Sequence, residues 1–235
     1  MLVIGHRGVP SLAPENTLGG FRRVAELGVT WVEFDVTLLG DGTPIVIHDD
    51  SLDRCSDQTG RLADLSIAQL EDVNNAALYP EWPREPVPLL DDVVNLLISL
   101  NMGFNLEIKP YDLPHDQVLR QISRVLEKYV NLQEQLIISC FDMALLKRCR
   151  QLLPQYKIGL LFDELPHDWQ RIAQEIGAFS IHLDWKNMSA NQVQAIHAAG
   201  YRVYCWTLND PQYQREFEAW GVDGVMSDYP QLFTN

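Results

Sequence analysis

No apolar run in this chain is long enough to cross a bilayer as a helix, which excludes a membrane-spanning helix. Cysteine is scarce: Cys55, Cys140, Cys149 and Cys205 stand apart, with no Cys-x-x-Cys pair. That spacing argues against a disulfide framework or a zinc site and for reduced thiols. Basic residues are outnumbered, 18 Lys and Arg against 32 Asp and Glu, for a formal net charge of −14. Most of such a surface repels polyanions, so neither a nucleic-acid partner nor a stable membrane association is expected. P-loop, G-x-S-x-G and H-E-x-x-H patterns are missing, as are internal repeats and low-complexity linkers. The chain begins directly on an apolar strand, Leu2–Gly5, with no basic segment and cleavage site before it. The expectation is a cytoplasmic protein.

What is present is an alternation. Short apolar or β-branched runs predict strands at Leu2–Gly5, Trp31–Val36, Phe104–Ile108, Leu136–Ser139, Ile158–Leu161, Ser180–Leu183, Arg202–Cys205 and Gly224–Met226. Helical patterns fall between them, among them Thr17–Leu27, Val118–Val130, Met143–Leu153, Asn191–Ala199 and Gln212–Trp220. Gly28, Gly200 and Gly221 occupy positions expected just past helix ends. Eight strands alternating with helices predict a (β/α)8 TIM barrel, with an open doubly wound sheet as the alternative. The expectation is one domain over residues 1–235.

Two segments depart from plain alternation. Asp41-Gly42 between two apolar runs predicts a hairpin, so Ile45–Ile47 folds back antiparallel and carries His48 down beside Asp35. Residues 51–87, with a short helical signal at Ser66–Asp72 and a Pro/aromatic tract from Tyr79 to Pro83, read as a small insertion after that hairpin, over the C-terminal face. Few residues follow Asp228, which predicts a final helix of little more than a turn. With so little cover, Trp220, Tyr229 and Phe233 are expected to leave an apolar patch that self-associates into a homo-oligomer.

Side chains two apart on a strand share a side. Glu33 with Asp35, and Glu107 with Lys109, therefore project together from neighbouring strand ends, and His6 with Arg7 follows the first strand. Three converging carboxylates suit one hard divalent cation, Mg²⁺ or Ca²⁺. The plainer alternative is a set of solvated strand-end charges with Lys109 pairing Glu107. His6 and His48 flank the cluster from opposite sides. Phosphodiester cleavage needs such a pair, one group taking a proton and the other giving one to the leaving alkoxide. Trp206 and Asn209, after the seventh strand, are candidates for a pocket wall. His182 is either a pocket group or a packed core histidine, while His115, His167 and His197 read as surface residues.

These residues also carry a resemblance. His6-Arg7-Gly8 followed by Ala13-Pro14-Glu15-Asn16-Thr17 resembles the opening motif of the glycerophosphodiester phosphodiesterase family. Glu33-Phe34-Asp35-Val36, His48-Asp49, Leu52-Asp53-Arg54, Asn105-Leu106-Glu107-Ile108-Lys109, Trp206-Thr207-Leu208-Asn209 and Gly221-Val222-Asp223-Gly224 continue it in order. Ser180-Ile181-His182-Leu183 is similar to the cytoplasmic bacterial branch. The resemblance implies hydrolysis of small glycerophosphodiesters to sn-glycerol 3-phosphate and an alcohol. It implies Glu33, Asp35 and Glu107 as metal ligands, His6 and His48 as the acid–base pair, and Arg7 and Lys109 as phosphate-holding groups. Two other functions remain open at this stage. One is a lysophospholipase D-like enzyme with Leu65, Tyr79 and Trp82 lining an apolar channel; the other is a catalytically silent phosphodiester-binding protein.

Overall fold

The computed structural model describes residues 1–233. In chain order its regular elements are β1 (Leu2–Gly5), α1 (Leu18–Glu26), β2 (Trp31–Leu38), β3 (Pro44–Val46), α2 (Leu90–Ser99), β4 (Gly103–Ile108), α3 (His115–Leu126) and β5 (Leu136–Cys140). They continue with α4 (Met143–Leu152), β6 (Lys157–Phe162), α5 (Trp169–Ile176), β7 (Ser180–Asp184), α6 (Ala190–Ala198), β8 (Arg202–Trp206), α7 (Gln214–Trp220) and β9 (Gly224–Ser227). All the strands but β3 pair in parallel, and β1 pairs with both β2 and β9, so the sheet closes on itself. The fold is a TIM barrel, not an open sheet.

The period-2 alternation of every barrel strand has an outer and an inner set. Val32, Phe34 and Val36 of β2, Phe104, Leu106 and Ile108 of β4, and Ile158 and Leu160 of β6 face the helices in the main core. Inside, Ile4, Ile137, Tyr204 and Met226 pack together across the barrel. The interior is crowded enough that some positions exclude a side chain. A Cβ on Gly159 would lie 2.5 Å from His182 Nε2, and one on Gly103 would lie 2.1 Å from the Trp31 ring. His182 is thus the packed core histidine: wholly buried, 2.8 Å from the Ser180 hydroxyl and edge-on to Tyr204. Burial holds its pKa down at about 3.

Helix ends follow local chemistry. Thr17 caps α1 by accepting from Gly20 N–H, and Ser189 caps α6 in a reciprocal box with Gln192. The span expected as Gln212–Trp220 divides instead into a 3₁₀ turn, Pro211–Tyr213, and α7, because Asp210 and Pro211 start a tight turn first. Helix α3 is shifted toward the N-terminus of its expected span, starting behind Pro114 and stopping at Leu126, before exposed Val130. Gly28, Gly200 and Gly221 all take positive φ beyond helix ends.

The hairpin forms as its turn residues dictate. β3 runs antiparallel to β2, pairing Val36 with Val46 and Thr37 with Ile45, and Ile47 N–H then reaches Asp35 C=O at 3.0 Å. That last bond sets His48 beside Asp35. Residues 51–87 wrap this hairpin around their own small core of Leu39, Ile45, Ile47, Leu52, Leu62, Leu70, Val73 and Val87.

The expected apolar patch at the C-terminal end does not form. A 3₁₀ turn, Pro230–Leu232, does follow β9, but it carries Phe233 into the main core, only 3% exposed. Trp220 also packs against that core, leaving Tyr229, 41% exposed, as the one open ring of the three. Burying a phenyl ring against the core gains more than exposing it.

Candidate active site

The C-terminal ends of β1, β2 and β4 meet as their alternation requires. Glu33, Asp35 and Glu107 each offer a carboxylate oxygen, all within 4.8 Å of one another, and all three residues are buried. Glu33 Oε1 has no hydrogen-bond partner among the described residues. Burial, then the charges of Asp35 and Glu107, push the Glu33 carboxyl well above its ordinary value. Burial and Asp35 push Glu107 up to about 7. Burial pushes the Asp35 carboxyl the same way, but Lys109, Arg7, His48 and the Asn16 amide outweigh it and hold it below its usual value. A buried carboxylate with an open lone pair beside two others is a donor set for a hard cation, and the residues fit Mg²⁺ or Ca²⁺.

Cations and imidazoles surround this cluster. Lys109 Nζ bonds Glu107 and lies 3.4 Å from Asp35 Oδ1, while Arg7 Nε lies 3.4 Å from Asp35 Oδ2. Arg7 sits at φ +50°, a conformation costly for a side-chain-bearing residue, and its N–H donates to Glu33 Oε2 at 3.0 Å. His6 Nε2 lies 3.9 Å from Glu33 Oε2. Burial holds the His48 imidazole below its ordinary value, although Asp35 pulls the other way. His6, Arg7, Glu33, His48, Glu107 and Lys109 form one side of a pocket of about 300 Å³. Phe141, Leu161, Trp206 and Met226 form an apolar side, with Asp163 and Thr207 beside them. Phe141 meets Trp206 edge-on at 5.5 Å.

Of the residues singled out for the site, His6, Arg7, Glu33, His48, Glu107, Lys109 and Trp206 line this pocket, and Asp35 is buried beside Glu33 and Glu107 without lining it. Asn209 turns away from it to hold Asp228. Leu65, Tyr79 and Trp82 do not line it. Leu65 packs under the hairpin, while Tyr79 and Trp82 line a separate hollow with Leu12 and Leu78.

Other residues complete the site without having been singled out for it. Asn16 Nδ2 donates to Asp35 Oδ2 at 2.9 Å. Arg54 makes paired bonds to Glu15 (2.7 and 2.8 Å) and to Asp49 (2.6 and 3.0 Å). Glu15 bonds Arg7 and Asp49 bonds His48, so one guanidinium from the insertion joins both sides of the site. Asp228 bonds His6. It follows Gly224 and Met226 on the inward alternation of β9, a signal the sequence carries.

A closed barrel whose C-terminal rim gathers three carboxylates, two histidines and two cationic side chains around one pocket defines a TIM-barrel enzyme. The model of the glycerophosphoryl diester phosphodiesterase family matches residues 6–232, and the chain belongs to that family. A glycerophosphodiester phosphodiesterase of Caldanaerobacter subterraneus subsp. tengcongensis is 30% identical over 236 residues, covering 100% of this chain and 96% of the relative. Among solved structures, an Oleispira antarctica phosphodiesterase in complex with the product sn-glycerol-3-phosphate superposes with a TM-score of 0.92. It is 31% identical, with 99% of this chain and 95% of the other covered. The Thermotoga maritima glycerophosphodiester phosphodiesterase gives a TM-score of 0.79 at 26% identity, covering 99% of this chain and 96% of that one.

Proposed function

We propose that the protein hydrolyses small glycerophosphodiesters to sn-glycerol 3-phosphate and an alcohol, with one divalent cation, Mg²⁺ or Ca²⁺, held by Glu33, Asp35 and Glu107. The observation that carries this reading is the pairing of His6 and His48 around that carboxylate cluster in one pocket. When bound, the cation supplies Lewis-acid stabilisation of the charge on phosphate. Arg7 and Lys109 hold the phosphate and meet the charge that develops on its oxygens. One of His6 and His48 accepts the proton of the attacking oxygen, which belongs either to water or to the adjacent substrate hydroxyl whose cyclic phosphate water then opens, and the other donates to the leaving alkoxide. The Trp206 and Phe141 rings shape the wall against which the carbon skeleton rests. The product held by the Oleispira antarctica relative supports the glycerol phosphate half of the substrate.

The whole chain is taken to act as one domain, the 51–87 segment bracing the hairpin that carries His48. Four buried, unpaired cysteines support a cytoplasmic setting. No helix among the described residues is long and apolar enough to cross a membrane. The lysolipid reading loses its channel, since Leu65, Tyr79 and Trp82 lie away from the pocket.

The test is release of glycerol 3-phosphate from glycerophosphocholine and glycerophosphoethanolamine, with EDTA and then with Mg²⁺ or Ca²⁺ restored. Release that EDTA stops and a cation restores is the expected result. Binding of the diester without turnover under every metal condition would make the protein a binding protein instead.

A further inference from the structure

His6 and Asp228 stand at opposite ends of the chain, yet His6 Nδ1 lies 2.7 Å from Asp228 Oδ1. What makes the contact informative is the chain of donors behind it. Asn209 Oδ1 accepts the main-chain N–H of Asp228 at 2.8 Å, and the Ser227 hydroxyl also donates to it, at 3.2 Å. A main-chain N–H can only donate, so the oxygen of the Asn209 amide must face it. The Asn209 amino group then necessarily faces the carboxylate, and it donates to Asp228 Oδ2 at 2.7 Å. With one carboxylate oxygen satisfied in this way, the other accepts from His6 Nδ1–H. The remaining ring nitrogen, Nε2, faces the carboxylate cluster, 3.9 Å from Glu33 Oε2.

We propose that Asp228, held by Asn209, is the positioning residue that keeps His6 in its Nδ1–H tautomer with Nε2 presented to the substrate. This rests on the acid–base role given to His6 above. The backbone supports the same placement: His6 N–H donates to Ser227 C=O at 2.9 Å, and Ser11 N–H donates to Asp228 C=O at 3.2 Å. The loop after β1 and the end of β9 are therefore pinned together on both sides of the imidazole. His48 is held differently. Its Asp49 partner carries the Arg54 guanidinium, whereas the carboxylate of Asp228 is fixed by an amide.

The same donor chain predicts what an amide at 228 does. In Asp228→Asn, the Asn209 amino group still requires an oxygen opposite it, so the new amino group turns toward His6. Nδ1 must then accept, and the ring proton moves to Nε2, which no longer offers a lone pair to the substrate.

The experiment is ¹⁵N imidazole NMR of the Mg²⁺-loaded protein, with the His6 signals assigned by their loss in His6→Ala. Glycerophosphocholine turnover and Mg²⁺ calorimetry are measured alongside. The wild type is expected to show His6 as Nδ1–H and Asp228→Asn as Nε2–H. In the variant kcat should fall about 10²–10⁴-fold, with KM and Mg²⁺ affinity kept within about threefold. An unchanged tautomer with unchanged turnover would overturn the proposal. So would a loss of turnover that merely tracks lost Mg²⁺ binding and a lowered melting temperature. If Asp228→Asn does not fold, Asn209→Ala serves, with about a tenfold loss in kcat at unchanged Mg²⁺ affinity expected and unchanged kcat overturning the proposal. Near-normal turnover in His6→Ala would sink the role of His6 itself. Normal turnover in Asp228→Asn beside an inactive His6→Ala would sink only that of Asp228.

Discussion

Each histidine at this site is defined by the group on its far nitrogen. His48 Nδ1 bonds Asp49 at 2.7 Å, and the paired bonds from Arg54 hold the Asp49 carboxyl down at about 2 against the cost of its burial. Asp49 therefore stays ionised throughout the working pH range, and His48 keeps Nε2 free for proton transfer. Replacing His48 with alanine removes a proton-transfer group while leaving the three carboxylates in place. The expected outcome is a kcat lowered by about 10²–10⁴-fold, with the cation still bound, checked by steady-state kinetics and calorimetry on the same preparation. Near-normal turnover would remove His48 from the acid–base pair. Glu33, Asp35, Glu107, His6 and His48 were legible because strand alternation and one hairpin signal determine where they point. Asp49 stands next to His48 in the sequence, but the pairings of His6 with Asp228 and of Arg54 with Glu15 were not legible, because these partners lie 222 and 39 positions apart. Loop closure, and no local period, makes those contacts.

Each strand serves two packing problems at once, and the inner one is the more restrictive. Gly159 gives up its side chain so that His182 can fill the barrel interior. His182 is fully buried, and burial lowers its pKa to about 3 from an ordinary value of about 6.5. The folded state thus refuses a proton that the unfolded chain takes up as pH falls below that ordinary value. Stability contributed by neutral His182 is complete above about pH 6.5 and is lost progressively as the pH drops toward 3. Between about pH 6 and pH 4.5 this one group should cost about 2 kcal/mol of folding free energy. Urea unfolding of wild type and His182→Asn across that interval checks it. The variant should be weaker at neutral pH but should lose about one proton's worth of pH slope. Equal slopes would mean that the imidazole titrates in the fold. The sequence left His182 between pocket and core because a strand-end position permits either; the neighbouring Tyr204 and Gly159 decided it.

At the scale of the whole molecule, the acidic excess and the buried acidic cluster act together. Glu33 and Glu107 are pushed upward by burial and by the charge of Asp35, so the barrel holds charge that it would shed without a counter-ion. A cation that binds only the folded barrel should raise stability by mass action, about 2.7 kcal/mol at a hundred times its Kd. Calorimetric melting with Mg²⁺ or Ca²⁺ against EDTA is expected to show a concentration-dependent rise, and Glu33→Gln should flatten it. A melting temperature indifferent to both cations would argue against the cluster as a metal site.

The order of strands, their inward and outward faces, and the convergence of three carboxylates with two cations followed from the sequence, because period-2 alternation and tight-turn residues act over a few neighbours. Closure of β1 onto β9, burial of Phe233 where an open patch was expected, and the donor chain from Asn209 through Asp228 to His6 were decided only by tertiary structure. Each of these joins residues far apart in the chain, and their geometry is set by packing the whole barrel rather than by any segment within it.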